Sequence, residues 1–404
     1  MGTVWLVSKE LTVMLRRYVV KLEILKQVGV MLPTMDDEPD NATDFYFEGS
    51  GEDELLTDDV DEAANTVMII LYVTILLFAL VGNSLVIHII RTRDDIRKNS
   101  FNWLLVNTAA ADLVDVVTAC AFILPYFVCE DCWISGVVGK IFCKLIPFLL
   151  VVAICVSVWT LTIIAVDRYL AIVCIGRKPL SSKSKVRCII IVWLSAGLLF
   201  SGQLYKFNTE EIEDGQTICY HEWNEDLDTS TLFYKAEMIV RVVVTYAIPL
   251  AIMAVLYSMI AYFLWSHKPP GNVNERAYVK KTKKRRVVIK MMIAVVTVFA
   301  FCWLPVHITH IMSEFYTDAY DAIPSIVQWL LIWLAHANAA IHPWLFISFS
   351  EKLRKEAKGM FRTLRKATQR KRRSMSLFNN ENDSPRRSGD YTTKNGSTIA
   401  MNTL

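Results

Sequence analysis

Seven apolar stretches govern what this chain can fold into. They lie at 67–90, 101–127, 140–173, 187–205, 236–264, 287–313 and 324–348. Each is about 20 residues or longer, enough for an α-helix to cross the ~30 Å hydrocarbon layer of a bilayer. Lipid offers no hydrogen-bond partner to an open backbone group, so such runs fold as helices that satisfy their own amides. The sequence therefore predicts an all-α, polytopic membrane protein. Composition agrees, with 53% hydrophobic residues among 404 and a mean hydropathy of +0.34. The connections are roughly 10 to 30 residues long, too short for a second soluble domain.

Orientation follows from the positive charges, which collect in cytoplasmic loops. Arg91, Arg93, Arg97 and Lys98 follow the first span, Arg177, Lys178, Lys183, Lys185 and Arg187 follow the third, and KKTKKRR (280–286) precedes the sixth. Residues 36–62 hold thirteen Asp/Glu and 208–228 hold eight, both without Lys or Arg. The expectation is a multi-pass plasma-membrane protein with its N-terminus outside and its C-terminus inside. The acidic outer face either steers cationic ligands inward or is simply well solvated. The basic residues face a lipid bilayer, and no nucleic-acid partner is expected. Asn41, in Asn41-Ala42-Thr43, is the expected glycosylation site, whereas Asn395 lies inside. Charges interrupt residues 1–33 too often for a signal peptide, and translation is expected to start at Met35. The expected organisation is an acidic, mostly disordered extracellular segment (1–64), a transmembrane domain (65–348), an amphipathic membrane-surface helix (349–366) and a disordered cytoplasmic tail (367–404).

Most of the nine cysteines fall inside spans, as small apolar fillers. Cys143 and Cys219 both lie on the oxidising side and are expected to pair. Cys129 and Cys132 form either a local bridge or two free thiols. No cysteine follows Cys302, so the tail has no site for a palmitoyl anchor.

Ionisable groups in hydrocarbon mark function. Asp112 sits in the second span, and Asn83, Ser157, Asn338 and His342 reach depths that could surround it. Such a cluster can hold water or a sodium ion, or simply join helices. Asp167, Arg168 and Tyr169 close the inner end of the third span, and Pro249, Pro305 and Pro343 each remove a helical hydrogen bond.

Gly82-Asn83, Asp112, Asp167-Arg168-Tyr169, Trp193, Pro249 with Tyr257, Cys302-Trp303-Leu304-Pro305 and the Cys143/Cys219 pair, in this order across 65–365, resemble the rhodopsin-like (class A) G-protein-coupled receptors. The resemblance implies a seven-transmembrane helix bundle with a short amphipathic eighth helix, on which Phe349, Leu353, Ala357, Phe361 and Leu364 share a face. It implies no enzyme activity and no cofactor. It also implies a heterotrimeric G protein as partner, with arrestin and a receptor kinase at the tail, where Ser374, Ser376 and Ser388 stand beside basic runs. Arg168 is the implied switch, Trp303 the toggle under the ligand, and Tyr257 the active-state partner of Arg168. A retinal-binding member needs a lysine where His336 stands, and an amine receptor an aspartate where Leu150 stands. The stretches CWISGVVGKIFCKLIPF (132–148), VSVWTLTIIAVDRYLAIV (156–173) and RRVVIKMMIAVVTVFAFCWLPVHI (285–308) are similar to neuropeptide receptors of the RFamide, orexin, neuropeptide Y and tachykinin group. The expected ligand is an extracellular peptide, cationic or amidated.

Depth nominates Asp115, Leu150, Val151, His307, His310, Glu314, Trp333 and His336 as pocket residues. Asp115 needs a partner, either His336 or a cationic ligand group. His307, His310 and His336 lack a matching carboxylate, so no metal site is expected. A zinc hydrolase and a transporter are the alternatives from other classes.

Two departures from the family pattern stand out. Where relatives place an acid to hold the switch arginine from span six, this chain has Arg285. Where they read Asn-Pro-x-x-Tyr in span seven, it reads His342-Pro343 followed by Phe346. Phe346 lacks the hydroxyl that would bridge to Tyr257, which makes a weakly signalling or scavenging receptor the runner-up. His342 is expected to pair with Asp112 and take the place of a sodium ion.

Overall fold

The computed structural model describes residues 51–97, 100–129, 132–174, 180–212, 215–224, 226–266 and 275–382. Asn41, Met35, Ser388 and Asn395 lie outside the described residues. Seven long helices follow one another: α1 (Gly51–Thr92), α2 (Ser100–Cys129), α3 (Gly136–Ile172), α4 (Ser182–Leu199), α5 (Leu227–Ser266), α6 (Glu275–Phe315) and α7 (Ser325–Phe349). All except α4 are long and apolar enough to cross a membrane. In α4, Lys183, Lys185 and Arg187 crowd the first two turns, and its apolar part is correspondingly short. Ser181 caps it by accepting the Ser184 N–H at 3.1 Å, and Asp226 caps α5 by accepting that of Thr229 at 3.0 Å.

An eighth helix, α8 (Glu351–Asn382), begins just after α7 and runs past the expected end at 366. Likewise α1 starts at Gly51, inside the segment expected to be disordered. The α8 extension is rich in Lys, Arg and Gln, which prolong a helix once it has been nucleated without needing an apolar face, and the α1 extension carries Glu, Leu and Ala among its aspartates. Contacts divide the chain into two units, Met1–Arg354 and Lys355–Leu404. Within the first, Lys352 Nζ bonds Asp95 at 2.9 Å; within the second, α8 is amphipathic and strongly basic.

The connection after α4 contains the one sheet among the described residues. Strands β1 (Phe207–Glu211) and β2 (Thr217–His221) pair antiparallel, with Thr209 opposite Cys219. Gly215, at φ +73°, supplies the left-handed residue that the tight connection needs. The Cys143–Cys219 disulfide fastens the hairpin to the start of α3, and the Trp133 N–H donates to the Thr217 carbonyl at 2.7 Å. Cys129 and Cys132 are also joined.

Among apolar helices in lipid, association depends on close packing and polar contacts rather than on water exclusion. Accordingly Met68, Tyr72, Ile75 and Ala79 of α1 pack with Val116, Ala119 and Ile123 of α2 and Ala337, Ala339 and Ala340 of α7. Trp193 of α4 donates to Asn107 of α2 at 3.0 Å, and Asn107 donates to Thr160 of α3 at 2.8 Å. Trp159 of α3 donates at 3.1 Å to the Val244 carbonyl, within a single π turn (Val243–Ala247) that precedes Pro249 in α5.

The contact of α1 with α7 is governed by Pro343. Proline has no N–H, so the Ala339 carbonyl one turn earlier loses its helical partner. The Asn83 side-chain amide donates to that carbonyl at 3.2 Å. Gly82 makes the approach possible, because a Cβ there would lie 2.7 Å from Pro343 Cγ and 3.0 Å from Trp344 Nε1. Gly82→Ala gains helix propensity of at most ~1 kcal/mol, whereas overpacking against a rigid ring costs about 1–3 kcal/mol. The variant should therefore melt below the unmodified protein in detergent; an equal or higher midpoint would remove Gly82 from this role.

Candidate functional site

Three polar assemblies follow the bundle from one end to the other. The middle one is built on α2, where Asp112 and Asp115 are spaced three residues apart and share a helix face. Both are buried, at 1% and 4% exposure. Asp112 Oδ1 accepts from Ser157 Oγ of α3 at 2.6 Å, and its Oδ2 lies 2.9 Å from His342 Nδ1 of α7. Asp115 Oδ1 lies 2.9 Å from His336 Nδ1, also on α7. Asn83 and Asn338 line the same region, each with a buried Oδ1 that has no hydrogen-bond partner. The His342 ring stacks against Phe346 with centroids 6.1 Å apart, and Phe346 is fully buried.

At one end of the bundle Asp167 is fully buried and collects three donors. Arg168 is paired with it, Lys185 Nζ lies at 3.0 Å, and the Leu180 N–H donates at 3.0 Å. The Arg168 guanidinium also covers the Phe101 ring at 4.4 Å, a cation–π contact. Arg285 is turned elsewhere and donates to the Ala171 carbonyl at 3.4 Å. Tyr169 is half-buried, and Tyr257 is buried within α5.

At the other end a cavity of about 430 Å³ opens between the helices, under the disulfide-bonded hairpin. Leu150, Val151, His307, His310 and His336 line it, and Trp303 forms part of its wall, 6.1 Å edge-to-face from His336 and 5.6 Å stacked on His307. Three nominated residues do not line it. Asp115 turns to His336, Trp333 packs with the α1, α2 and α7 cluster, and Glu314 stands half-buried near the end of α6. Among the described residues no three potential metal ligands converge.

Several lining residues escape the sequence reading. Phe122, Tyr126, Trp133 and Trp329 supply much of the aromatic wall, and His221 and Cys219 arrive from the hairpin. Depth arguments do not reach a hairpin folded over a bundle. Arg241 is different, because a charge inside an apolar span carries its own signal. It pairs with Glu237 one turn earlier on α5, an i,i+4 arrangement visible in the sequence. Glu237 also accepts from Gln203 and Lys206, each at 2.6 Å, and from Trp223 at 3.2 Å. Burial draws the Lys206 ammonium below its ordinary range, and the Glu237 carboxylate opposes that shift.

Ser157 occupies one oxygen of Asp112 and His342 the other, which leaves each oxygen a single open acceptor position and sets the imidazole where a hard cation, which prefers several oxygen ligands, would sit. The melting midpoint of the purified protein should be the same in sodium and potassium chloride at equal ionic strength. His342→Asn should create a sodium-specific stabilisation, as expected when an ion binds only the folded state. Strong sodium stabilisation of the unmodified protein would overturn the pairing.

Residues 82–346 match the family model described as the seven-transmembrane receptor of the rhodopsin family. The chain is 31% identical over 303 residues to the tachykinin-like peptides receptor 99D of Drosophila melanogaster, covering 72% of this chain and 56% of that one. It is 32% identical over 292 residues to the human substance-K receptor, covering 72% and 71%. It is 29% identical over 317 residues to the QRFP-like peptide receptor of Branchiostoma floridae, covering 75% and 80%. The matched segment holds α2 to α6 and most of α7, including Asp112, the Asp167–Arg168 pair, Trp303 and the disulfide. The chain belongs to the rhodopsin family of seven-transmembrane receptors.

Proposed function

We propose that this chain is a plasma-membrane receptor for a peptide, which binds in the cavity beneath the hairpin and activates a heterotrimeric G protein at the opposite end of the bundle. The observation that carries this reading is the cavity itself: its wall is largely apolar and aromatic, it is covered by the Cys143–Cys219 hairpin, and Trp303 lies in it two residues before Pro305. The names of similar proteins, receptors for tachykinin-like, substance-K and QRFP-like peptides, support a peptide as the ligand class. In this reading the N-terminus with Asn41 is extracellular and the tail is cytoplasmic, which the distribution of Lys and Arg supports. Leu150 and Val151 of α3 form part of the wall of the ligand site.

Activation follows from two restraints at the other end. Arg168 is held by Asp167 and by the Phe101 ring, both on the cytoplasmic side in this orientation. A ligand that shifts Trp303 moves the lower half of α6 about Pro305, where a helical hydrogen bond is already missing. Opening between α3, α5 and α6 frees Arg168 to reach Tyr257 and admits the G protein. Tyr169 borders that opening. Ser374, Ser376 and Ser388 would then be substrates of a receptor kinase, and the phosphorylated tail a site for arrestin. Phe346, buried against His342 where the family has a tyrosine, favours a second reading: a receptor that captures its ligand with weak G-protein signalling.

Cells expressing the chain should respond to members of an amidated-peptide library in calcium or cyclic-nucleotide assays, with untransfected cells silent. Binding without either signal would favour the capturing receptor, and neither binding nor signal would end the peptide reading. Because Arg285 stands where an acid would lock Arg168 from α6, a ligand-independent signal above that of untransfected cells is also expected. A basal signal equal to theirs would show that Asp167 and Phe101 suffice as restraints.

A further inference from the structure

The same cavity contains an unbalanced charge. Arg241 is the one side chain with a permanent charge among the described residues lining it, and no Asp or Glu lines it. Its guanidinium bonds Glu237, but that carboxylate is shared with Lys206, which is itself only 6% exposed. Gln203 and Trp223 donate to it as well, so Glu237 serves four donors, as many as its two oxygens can accept. One anion thus faces two cations. Glu314 also acts on Lys206 and itself faces Lys235, one group of each sign, and the exposed Glu222 acts on Tyr234 beside them. Arg241 Nε is buried and has no hydrogen-bond partner.

A half-buried cation that shares its counter-ion gains more from a new anion than a fully paired one does. A guanidinium is also shaped to take a carboxylate with two parallel hydrogen bonds. Building on the peptide reading of the cavity, we propose that the ligand presents a carboxylate, from an acidic side chain or a free C-terminus, to Arg241. His307, whose two ring nitrogens are buried without a hydrogen-bond partner, lines the same cavity and can donate to a further oxygen of such a group. The acidic outer segments then act on the approach of the ligand, while Arg241, tied through Glu237 to Lys206 and Trp223 beside the hairpin, selects for an anion.

The test uses full-length receptor, unmodified and as Arg241→Gln, in cells exposed to paired synthetic peptide libraries. Members of a pair differ only by Asp or Glu against Asn or Gln, or by a free against an amidated C-terminus. Arg241→Gln leaves Glu237 bonded to Lys206, so the substitution strands no buried carboxylate. On the unmodified receptor, replacing the acid with the amide should lower potency at least ~tenfold, the scale of a lost buried charge pair. On Arg241→Gln the same replacement should change potency by less than ~threefold, because the partner is gone. Which of the two pair types shows the loss identifies the source of the carboxylate. No loss on the unmodified receptor, or an equal loss on both, overturns the inference while leaving the peptide reading intact. If no peptide is active, that reading fails, and the carboxylate subsite is tested on the purified protein. N-acetylglutamate should then raise the melting midpoint above that seen with its neutral diamide, and Arg241→Gln should abolish the difference; equal midpoints overturn the inference.

Discussion

The bundle depends on two carboxylates that an apolar environment would otherwise exclude. An ionised group in hydrocarbon without a partner costs several kcal/mol, and Asp112 and Asp115 are both buried. Each is matched by a histidine of α7, His342 and His336 respectively, at 2.9 Å. The order is antiparallel: the later aspartate meets the earlier histidine. Two such pairs fix the register of α2 against α7, because sliding one helix by a turn would strand both acids at once. Removing one partner of a buried pair typically costs 3–5 kcal/mol, a large fraction of the stability of a typical domain.

Other features of the bundle fall into place around this pairing. His342 brings Pro343 with it, and the carbonyl that Pro343 leaves open is filled by Asn83, which draws α1 against α7 at Gly82. Ser157 ties α3 to the same carboxylate. His336 lies between Asp115 and Trp303, so the lower wall of the cavity rests on a buried hydrogen-bonded pair rather than on apolar packing alone. From Trp303 the connection to the far end runs along α6 toward Arg285, which bonds the Ala171 carbonyl of α3 close to Asp167 and Arg168. A ligand that prefers one arrangement of Trp303 can shift the bundle only by its difference in affinity for the two arrangements.

How much of this could be read in the sequence differs from feature to feature. The seven spans are legible because lipid imposes a minimum apolar length, and Asp112 and Asp115 because a charge within such a span is conspicuous. The histidine opposite each acid is legible from depth counting along helices of known rise. The hairpin is not, since Phe207–Glu211 and Thr217–His221 are short and held by a distant disulfide rather than by alternation of their own. The aromatic residues around the cavity are equally silent, because Phe122, Tyr126 and Trp329 look like any lipid-facing residue until the helices are assembled. Arg241 was accessible in principle: with Glu237 it forms a charged pair inside an apolar span, and only the competing acceptor bonds of Glu237 reveal that the pair is unbalanced. The length of α8 follows from continuation of an existing helix, which polar composition alone conceals.

The dependence of the bundle on paired burial is tested most directly by a double-mutant cycle on Asp115 and His336, read as melting midpoints of the purified receptor. Asp115→Leu and His336→Leu should each lower the midpoint, since each leaves a buried polar group without its partner. The double variant, which replaces both with apolar groups, should recover most of the loss. Strictly additive losses would contradict the pairing and leave Asp115 and His336 as two independent packing residues.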